Sequence, residues 1–197
     1  MKKKLLVGGT AMGATALATG WLVMSEGIVT QTYIDPVGVP TYCVGETKNA
    51  KIGETFTKEF CIELLEARTK GFQDAVSETL TVQHTPRMLA AYTHFSYNIG
   101  KAGWRKSNAL RLTNSGLYGL GCEAMGNWYR AGGRDCRVKS NNCYGLINRR
   151  NYEIEQCKLG VQELREWEAQ QDVEVEETPA EAETLSFWDK VKAFFNG

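Results

Sequence analysis

Histidine is nearly missing from this chain: 197 residues hold two, His84 and His94, and neither has a second ligand four residues on. A zinc site of the paired-histidine helical kind is thereby excluded, and no metal or cofactor is implied. No CxxC pair occurs among the six cysteines, which removes zinc-ribbon and thioredoxin-like readings. Net charge is absent as well, with 23 basic and 23 acidic side chains, and no basic stripe interleaves with aromatics. Nucleic acid is therefore not an expected partner. The length leaves no room for two domains of ordinary size, so one core must lie in the middle of the chain.

A Leu-rich membrane anchor is the last thing lacking. Residues 5–24, LLVGGTAMGATALATGWLVM, are uncharged and follow Lys2, Lys3 and Lys4, but four Gly, four Ala and three Thr fill eleven of the twenty positions. Twenty such residues just span a bilayer with the lysines on the cytoplasmic side, and their low hydrophobicity predicts weak retention. Three readings follow: a signal peptide cleaved after Ala16-Leu17-Ala18, a permanent anchor, or a signal-anchor that leaves the bilayer and folds with the domain. All three export the rest of the chain. Export agrees with an even set of cysteines, which in an oxidising compartment form disulfides.

What is present divides unevenly. Residues 169–184 carry six acids and no base, and 185–197 carry a net +1, which leaves +5 on residues 1–168. The acidic stretch has few large apolar side chains and reads as a disordered linker. Beyond it Leu185, Trp188, Val191 and Phe194 recur at spacings that predict a short amphipathic helix over 185–197. The body starts at residue 25 and ends near 168. In it Asp35-Pro36-Val37-Gly38 has the residues of a tight turn, followed by an extended run from Val39 to Val44. Thr57 caps a long helix with Leu64, Leu65, Phe72, Ala75 and Val76 at helical spacing. Thr85-Pro86 opens another that ends before Gly100. Helical patterns follow around 105–113 and 117–130, then a Gly- and Asn-rich loop to Gly145 and a final helix to about Trp167. One hairpin followed by helices is α+β.

Two carboxylates frame the start of the body. Hydrolysis of a glycosidic bond needs one protonated acid for the leaving oxygen and one carboxylate to activate water or face the developing positive charge. Glu26, at the junction with the apolar segment, would be partly buried, whereas Asp35 on a polar turn would stay ionised. Thr41 adds a hydroxyl across the hairpin. The alternative for these acids is solvated surface charge, and for the whole chain a membrane-tethered, non-catalytic module that binds cell wall.

Glu26-Gly27, Asp35-Pro36-Val37-Gly38 and Thr41 closely resemble the phage-type lysozymes of glycoside hydrolase family 24, whose two acids and threonine stand at these intervals. Further matches are Thr57-Lys58-Glu59, Phe95 to Gly100, Ser107 with Leu110-Arg111, Asn114 with Gly116, Trp128 with Ala131-Gly132-Gly133, and Gly145-Leu146 leading to Arg149-Arg150 and Glu153. The resemblance implies a two-lobed fold, a hairpin lobe and a helical lobe joined by a long helix starting near Lys58, with the glycan between them. It implies a muramidase that cuts the β-1,4 bond between N-acetylmuramic acid and N-acetylglucosamine with inversion. Glu26 maps to the general acid, Asp35 to the carboxylate paired with the water, Thr41 to its positioning residue, and Tyr97 and Ser107 to substrate contacts. Where many members have Gly-x-Gly-His-Thr, this chain has Cys43-Val44-Gly45-Glu46-Thr47. A third acid thus replaces a histidine.

The weak segment over residues 1–24 is similar to that of the signal-anchor-release endolysins of tailed phages. That resemblance implies an enzyme tethered to the inner membrane through residues 5–24, facing the periplasm and inactive, then soluble in the periplasm as a monomer acting on peptidoglycan. The segment has no cysteine, so thiol exchange with the domain is not its trigger. Six cysteines allow fifteen pairings. Cys136 and Cys143 flank a short loop. With the resemblance, the expected pairs are Cys136 with Cys143, Cys122 with Cys157, whose helices meet in the family fold, and Cys43 with Cys61.

Overall fold

In the computed structural model, residues 6–35 and 38–177 are described. The uncharged N-terminal segment divides at Thr10. Val7 donates to the His84 carbonyl at 3.0 Å, and Leu6 forms a parallel bridge with His84. The Thr10 hydroxyl then caps helix α1 (Ala11–Glu26) by accepting from Gly13 N–H. In this docked form the segment is a short strap followed by a helix. Ala14, Ala18, Trp21 and Leu22 are buried, and α1 packs on the next two helices as part of the body. Of the small residues of α1, Ala14 and Ala18 lie in this packing, whereas Gly20 faces open space. Among the described residues no helix is long and apolar enough to cross a membrane.

Gly27, at φ +73°, ends α1 and turns the chain into strand β1 (Val29–Ile34). β1 pairs antiparallel with β2 (Pro40–Cys43), with Tyr33 opposite Thr41 and an irregular register between Val29 and Tyr33. On its other edge β1 bonds to residues 54–56, through Thr32 N to Glu54 O and Phe56 N to Thr30 O. This small sheet is the hairpin lobe.

Helix α2 (Lys58–Ser77) starts at Thr57, whose hydroxyl accepts from Phe60 N–H, and leads to the helical lobe. There α3 (Pro86–Ile99), capped by Thr85, lies at the centre, with every residue from Met88 to Ser96 buried. α1, α2 and α4 (Lys101–Arg105) pack around it. α5 (Asn108–Asn114), α6 (Tyr118–Ala124) and α7 (Gly145–Glu177) complete the lobe. Two polar tips inside this core have partners: Trp104 Nε1 donates to Thr79 Oγ1 at 2.8 Å, and Tyr92 Oη lies 2.8 Å from Thr113 Oγ1.

Three disulfides form: Cys43–Cys61, Cys122–Cys157 and Cys136–Cys143. Cys122–Cys157 ties α6 to α7 across 35 residues. Restricting the unfolded chain over such a loop is worth roughly 4 kcal/mol in the chain-entropy account.

Some expectations from sequence change. The 105–113 pattern becomes two short helices broken at Lys106–Ser107, and α6 ends at Ala124 before a single 3-10 turn at Met125–Asn127. The Gly- and Asn-rich loop contains a second small sheet, β3 (Arg130–Ala131) with β4 (Arg134–Asp135), whose two-residue strands are too short for any periodicity. Helix α7 runs to Glu177, so residues 169–177 are helical rather than a disordered linker. The body's packing ends at Leu164, yet extending an existing helix needs no new nucleus, and Glu, Gln and Ala are good helix formers. Residues 178–184 and the amphipathic helix expected over 185–197 lie outside the described residues.

His84, whose backbone carbonyl holds the strap, gives the fold a pH dependence through its side chain. The residue is 3% exposed, and burial lowers its pKa from the ordinary 6.5, opposed by a hydrogen bond to the Val82 carbonyl. A lowered histidine pKa means that the unfolded chain takes up its proton first. Its contribution is thus complete above about pH 6.5 and lost as pH falls toward the depressed folded value. Thermal melts from pH 7 to about 5 are expected to show a falling Tm that flattens in His84→Gln. An unchanged slope in the variant would remove His84 from this role.

Candidate active site

Glu26 is the last residue of α1, which places its carboxylate at the end of a helix anchored in the helical lobe and at the root of the hairpin. Its Oε1 lies 2.8 Å from Arg149 Nη1, and the two side chains are 34% and 17% exposed. Its surroundings therefore differ from those expected: a guanidinium from α7, and not an apolar wall, stands beside this acid.

Asp35 sits at the other end of β1. Gly38 N–H donates to the Asp35 carbonyl at 3.0 Å, and Gly38 has φ +88°, a conformation that favours glycine at this corner. The Val39 peptide joins the hairpin's two candidate side chains. Val39 N–H donates to Asp35 Oδ1 at 2.8 Å, and its carbonyl accepts from Asp35 N–H at 3.0 Å and from Thr41 Oγ1 at 3.0 Å. Thr41 is 3% exposed. With its proton given to Val39, its hydroxyl faces any further partner as an acceptor.

Glu46 turns back on its own loop, where Oε1 accepts from the N–H groups of Thr47 and Lys48 at 2.9 Å each. The Lys48 N–H, with smaller help from Thr47 N–H and the Arg68 charge and against some burial, holds this carboxyl below its ordinary pKa. Arg68 on α2 is the cation opposite it and reaches the Gly45 carbonyl at 3.5 Å. The acid in the histidine's place thus has its own cation. Arg68 also lies 5.3 Å from the centre of the Tyr97 ring, which packs 5.0 Å from Phe72. Burial raises the Tyr97 pKa, the Arg68 charge lowers it, and the Glu26 and Glu46 charges raise it further. Tyr97 therefore stands within the field of both acids, and its buried Oη has no hydrogen-bond partner among the described residues.

Ser107, the other expected substrate contact, lies at the start of α5. It is 4% exposed, and its hydroxyl accepts from Leu110 N–H at 3.1 Å as the N-cap of α5. That bond accounts for the serine structurally. A groove lined by Tyr42, Glu46, Lys48, Phe56 and Leu64 lies on the hairpin lobe, floored by the stacked rings of Tyr42 and Phe56 at 4.4 Å. It contains neither Glu26 nor Asp35, so it is not the site of the paired acids.

The sequence pattern does not mark Arg149 as a neighbour of Glu26. A signal was available. Glu153 is three residues from Arg150 and pairs with it, which leaves Arg149 for another acid. His94 is buried and bonded to Glu153 and Ser25.

A hairpin lobe, a long helix and a helical core, with one acid on a helix end and another on a hairpin corner, define the class of the lysozymes. The model of the phage lysozyme family matches residues 23–153. The SAR-endolysin of Pseudomonas phage phiKMV is 35% identical over 144 residues, covering 73% of this chain and 88% of that one. The SAR-endolysin of Escherichia phage 933W is 33% identical over 167 residues, covering 78% and 94%. A solved mutant of P22 lysozyme superposes with a TM-score of 0.62 at 28% identity, over 71% of this chain and 93% of that one. The chain belongs to the phage lysozyme family, and its enzymatic activity is that of a lysozyme, a muramidase.

Proposed function

We propose that this muramidase is an endolysin for host cell lysis, that it hydrolyses the β-1,4 bond between N-acetylmuramic acid and N-acetylglucosamine, and that it stays inactive while residues 5–24 lie in the inner membrane. The observation that carries the reading is the double use of one segment. Residues 11–24, which the bilayer would hold, are the same residues that pack as α1 and end at Glu26. They cannot do both. Docked α1 has 16 residues, about 24 Å of helix at 1.5 Å per residue, whereas a bilayer core of about 30 Å needs about twenty. In the membrane the strap over residues 6–10 would therefore join the helix and leave His84. Release restores the strap, docks α1 and brings Glu26 to the root of the hairpin. The SAR-endolysin relatives support this order of events.

In the reaction, Glu26 gives its proton to the glycosidic oxygen as the bond to C1 of N-acetylmuramic acid breaks. A water on the opposite face attacks C1 and passes a proton to Asp35, with inversion. Thr41 accepts from that water while Val39 holds the threonine hydroxyl and Asp35 in one frame. The Arg149 ion pair fixes where the Glu26 carboxyl lies. Tyr97 contacts the glycan.

Mass spectrometry of products from purified walls tests the reaction. Reducing ends on N-acetylmuramic acid are expected, whereas anhydro sugars would mark a transglycosylase and intact strands the non-catalytic wall-binding module. Fractionating cells before and after collapse of the membrane potential tests the tether. The full chain is expected to move from membrane to periplasm, and a mature N-terminus at Thr19 would instead establish ordinary signal cleavage.

A further inference from the structure

Behind Glu26 runs a line of buried polar groups that the reaction above does not use. His94 on α3 has its Nδ1 2.7 Å from Glu153 Oε1 and its Nε2 3.2 Å from Ser25 Oγ. The His94 and Glu153 side chains are 1% and 0% exposed. The other oxygen of Glu153 accepts from Arg150, whose guanidinium also donates to Asn98 Oδ1 and, at 3.1 Å, to the Trp128 carbonyl. Arg150 is itself 2% exposed and lies over the Phe95 ring.

Stability alone is a poor reason for such an arrangement. Desolvating a carboxylate and a guanidinium costs several kcal/mol each, and apolar side chains of the same volume often serve as well. What apolar packing cannot do is aim a hydrogen bond. This network aims one at Ser25, a serine in the last turn of α1 next to Glu26. Ser25 Oγ also lies 3.3 Å from the Leu22 carbonyl of its own helix. Ser25, His94 and Glu153 stand in the order of a nucleophile relay, but Glu153 is shared with Arg150 and the serine is tied to its own helix. That arrangement suits holding a helix end in place more than making a nucleophile.

We infer that His94 is a positioning residue for Glu26: braced by Glu153 and Arg150, it grips Ser25 and sets the rotation of the α1 terminus from which the acid projects. Two consecutive residues of α1 are then held from α7, Glu26 directly by Arg149 and Ser25 through His94. The inference rests on the reading of Glu26 as the general acid. A misplacement of about 1 Å at such a group costs about a hundredfold in rate.

The test is steady-state kinetics of the purified full chain on soluble, uncrosslinked peptidoglycan oligomers, read as reducing ends, with a thermal melt of each variant. Ser25→Ala is expected to lower kcat about ten- to hundredfold with KM within about twofold and Tm little changed, since Ser25 is exposed. Ser25→Thr, which restores a hydroxyl, is expected to recover most of the rate. His94→Gln lowers kcat to a similar degree, and the double variant is no slower than the slower single one, as for two members of one linkage. Wild-type kcat in Ser25→Ala, or losses that multiply in the double variant, would overturn the inference. If His94→Gln does not fold, the Ser25 pair decides alone. Glu26→Gln belongs in the same assay. If it is inactive while Ser25→Ala is normal, only the positioning role fails, and if it is active, the acid assignment fails and takes this inference with it.

Discussion

Glu26→Gln is expected to lower the rate of peptidoglycan hydrolysis about 10²- to 10⁴-fold, the range in which a positioned proton donor contributes. Glutamine has the shape of glutamic acid but no proton to give to the glycosidic oxygen. Its one structural cost is the ion pair with Arg149. The Glu26 side chain is about a third exposed, and partly solvated pairs of this kind are worth about 0–1 kcal/mol. The variant should therefore fold, keep its three disulfides and melt close to the wild type. Turbidity loss of purified walls, followed with the thermal melt, separates the two effects. Lysis at the wild-type rate would mean that another group supplies the proton.

The second large effect concerns α1. Ala14 and Ala18 are 0% exposed where α1 packs on α2 and α3. Leucine at both positions would overpack the docked helix, at about 1–3 kcal/mol per site. The same two changes favour the bilayer, because leucine at the centre of a membrane helix is favourable by roughly 0.5 kcal/mol. Both terms act in one direction, so Ala14→Leu/Ala18→Leu is expected to remain in the membrane fraction and to fail to lyse cells. Ala16→Leu separates the terms, since Ala16 is exposed on docked α1. It gains the same hydrophobicity without a clash, and a modest delay in lysis is expected. Lysis by the double variant on the wild-type schedule would show that docking of α1 is not needed. Equal failure of Ala16→Leu would show that membrane retention alone sets the timing.

Where helix ends carry their own chemistry, they were legible. Thr57 and Thr85-Pro86 marked the starts of α2 and α3, and Gly100 the end of α3, because a cap satisfies its backbone donors within three or four residues. The Asp35–Gly38 corner was legible for the same reason. Boundaries set by neighbours were not. Nothing within residues 5–24 says that residues 6–10 form a strap outside the helix, since the partner of that strap, His84, is some seventy-seven positions away. The β3–β4 ladder has two residues a side and no period to detect. The helical stretch over residues 169–177 was lost because acid-rich composition suggested disorder, although the same residues readily extend a helix already formed.

The same division holds in the site. Glu26, Asp35 and Thr41 lie within sixteen residues, so their order and the turn between them are local matters that a linear pattern can express. Arg149 beside Glu26, Arg68 opposite Glu46 and His94 behind Ser25 are brought in from α7, α2 and α3. By itself the amino-acid order determined the family, the hairpin corner, the capped helices and the weakness of the N-terminal segment as an anchor. Only the tertiary structure decided which cation meets which acid, which three of fifteen cysteine pairings form, and that the last turn of α1 carries the acid at Glu26. The reason is that capping, turns and hydrophobicity act over a few residues of chain. Ion pairs and buried hydrogen bonds act over a few ångströms of space, and here those ångströms join residues 69 to 123 positions apart.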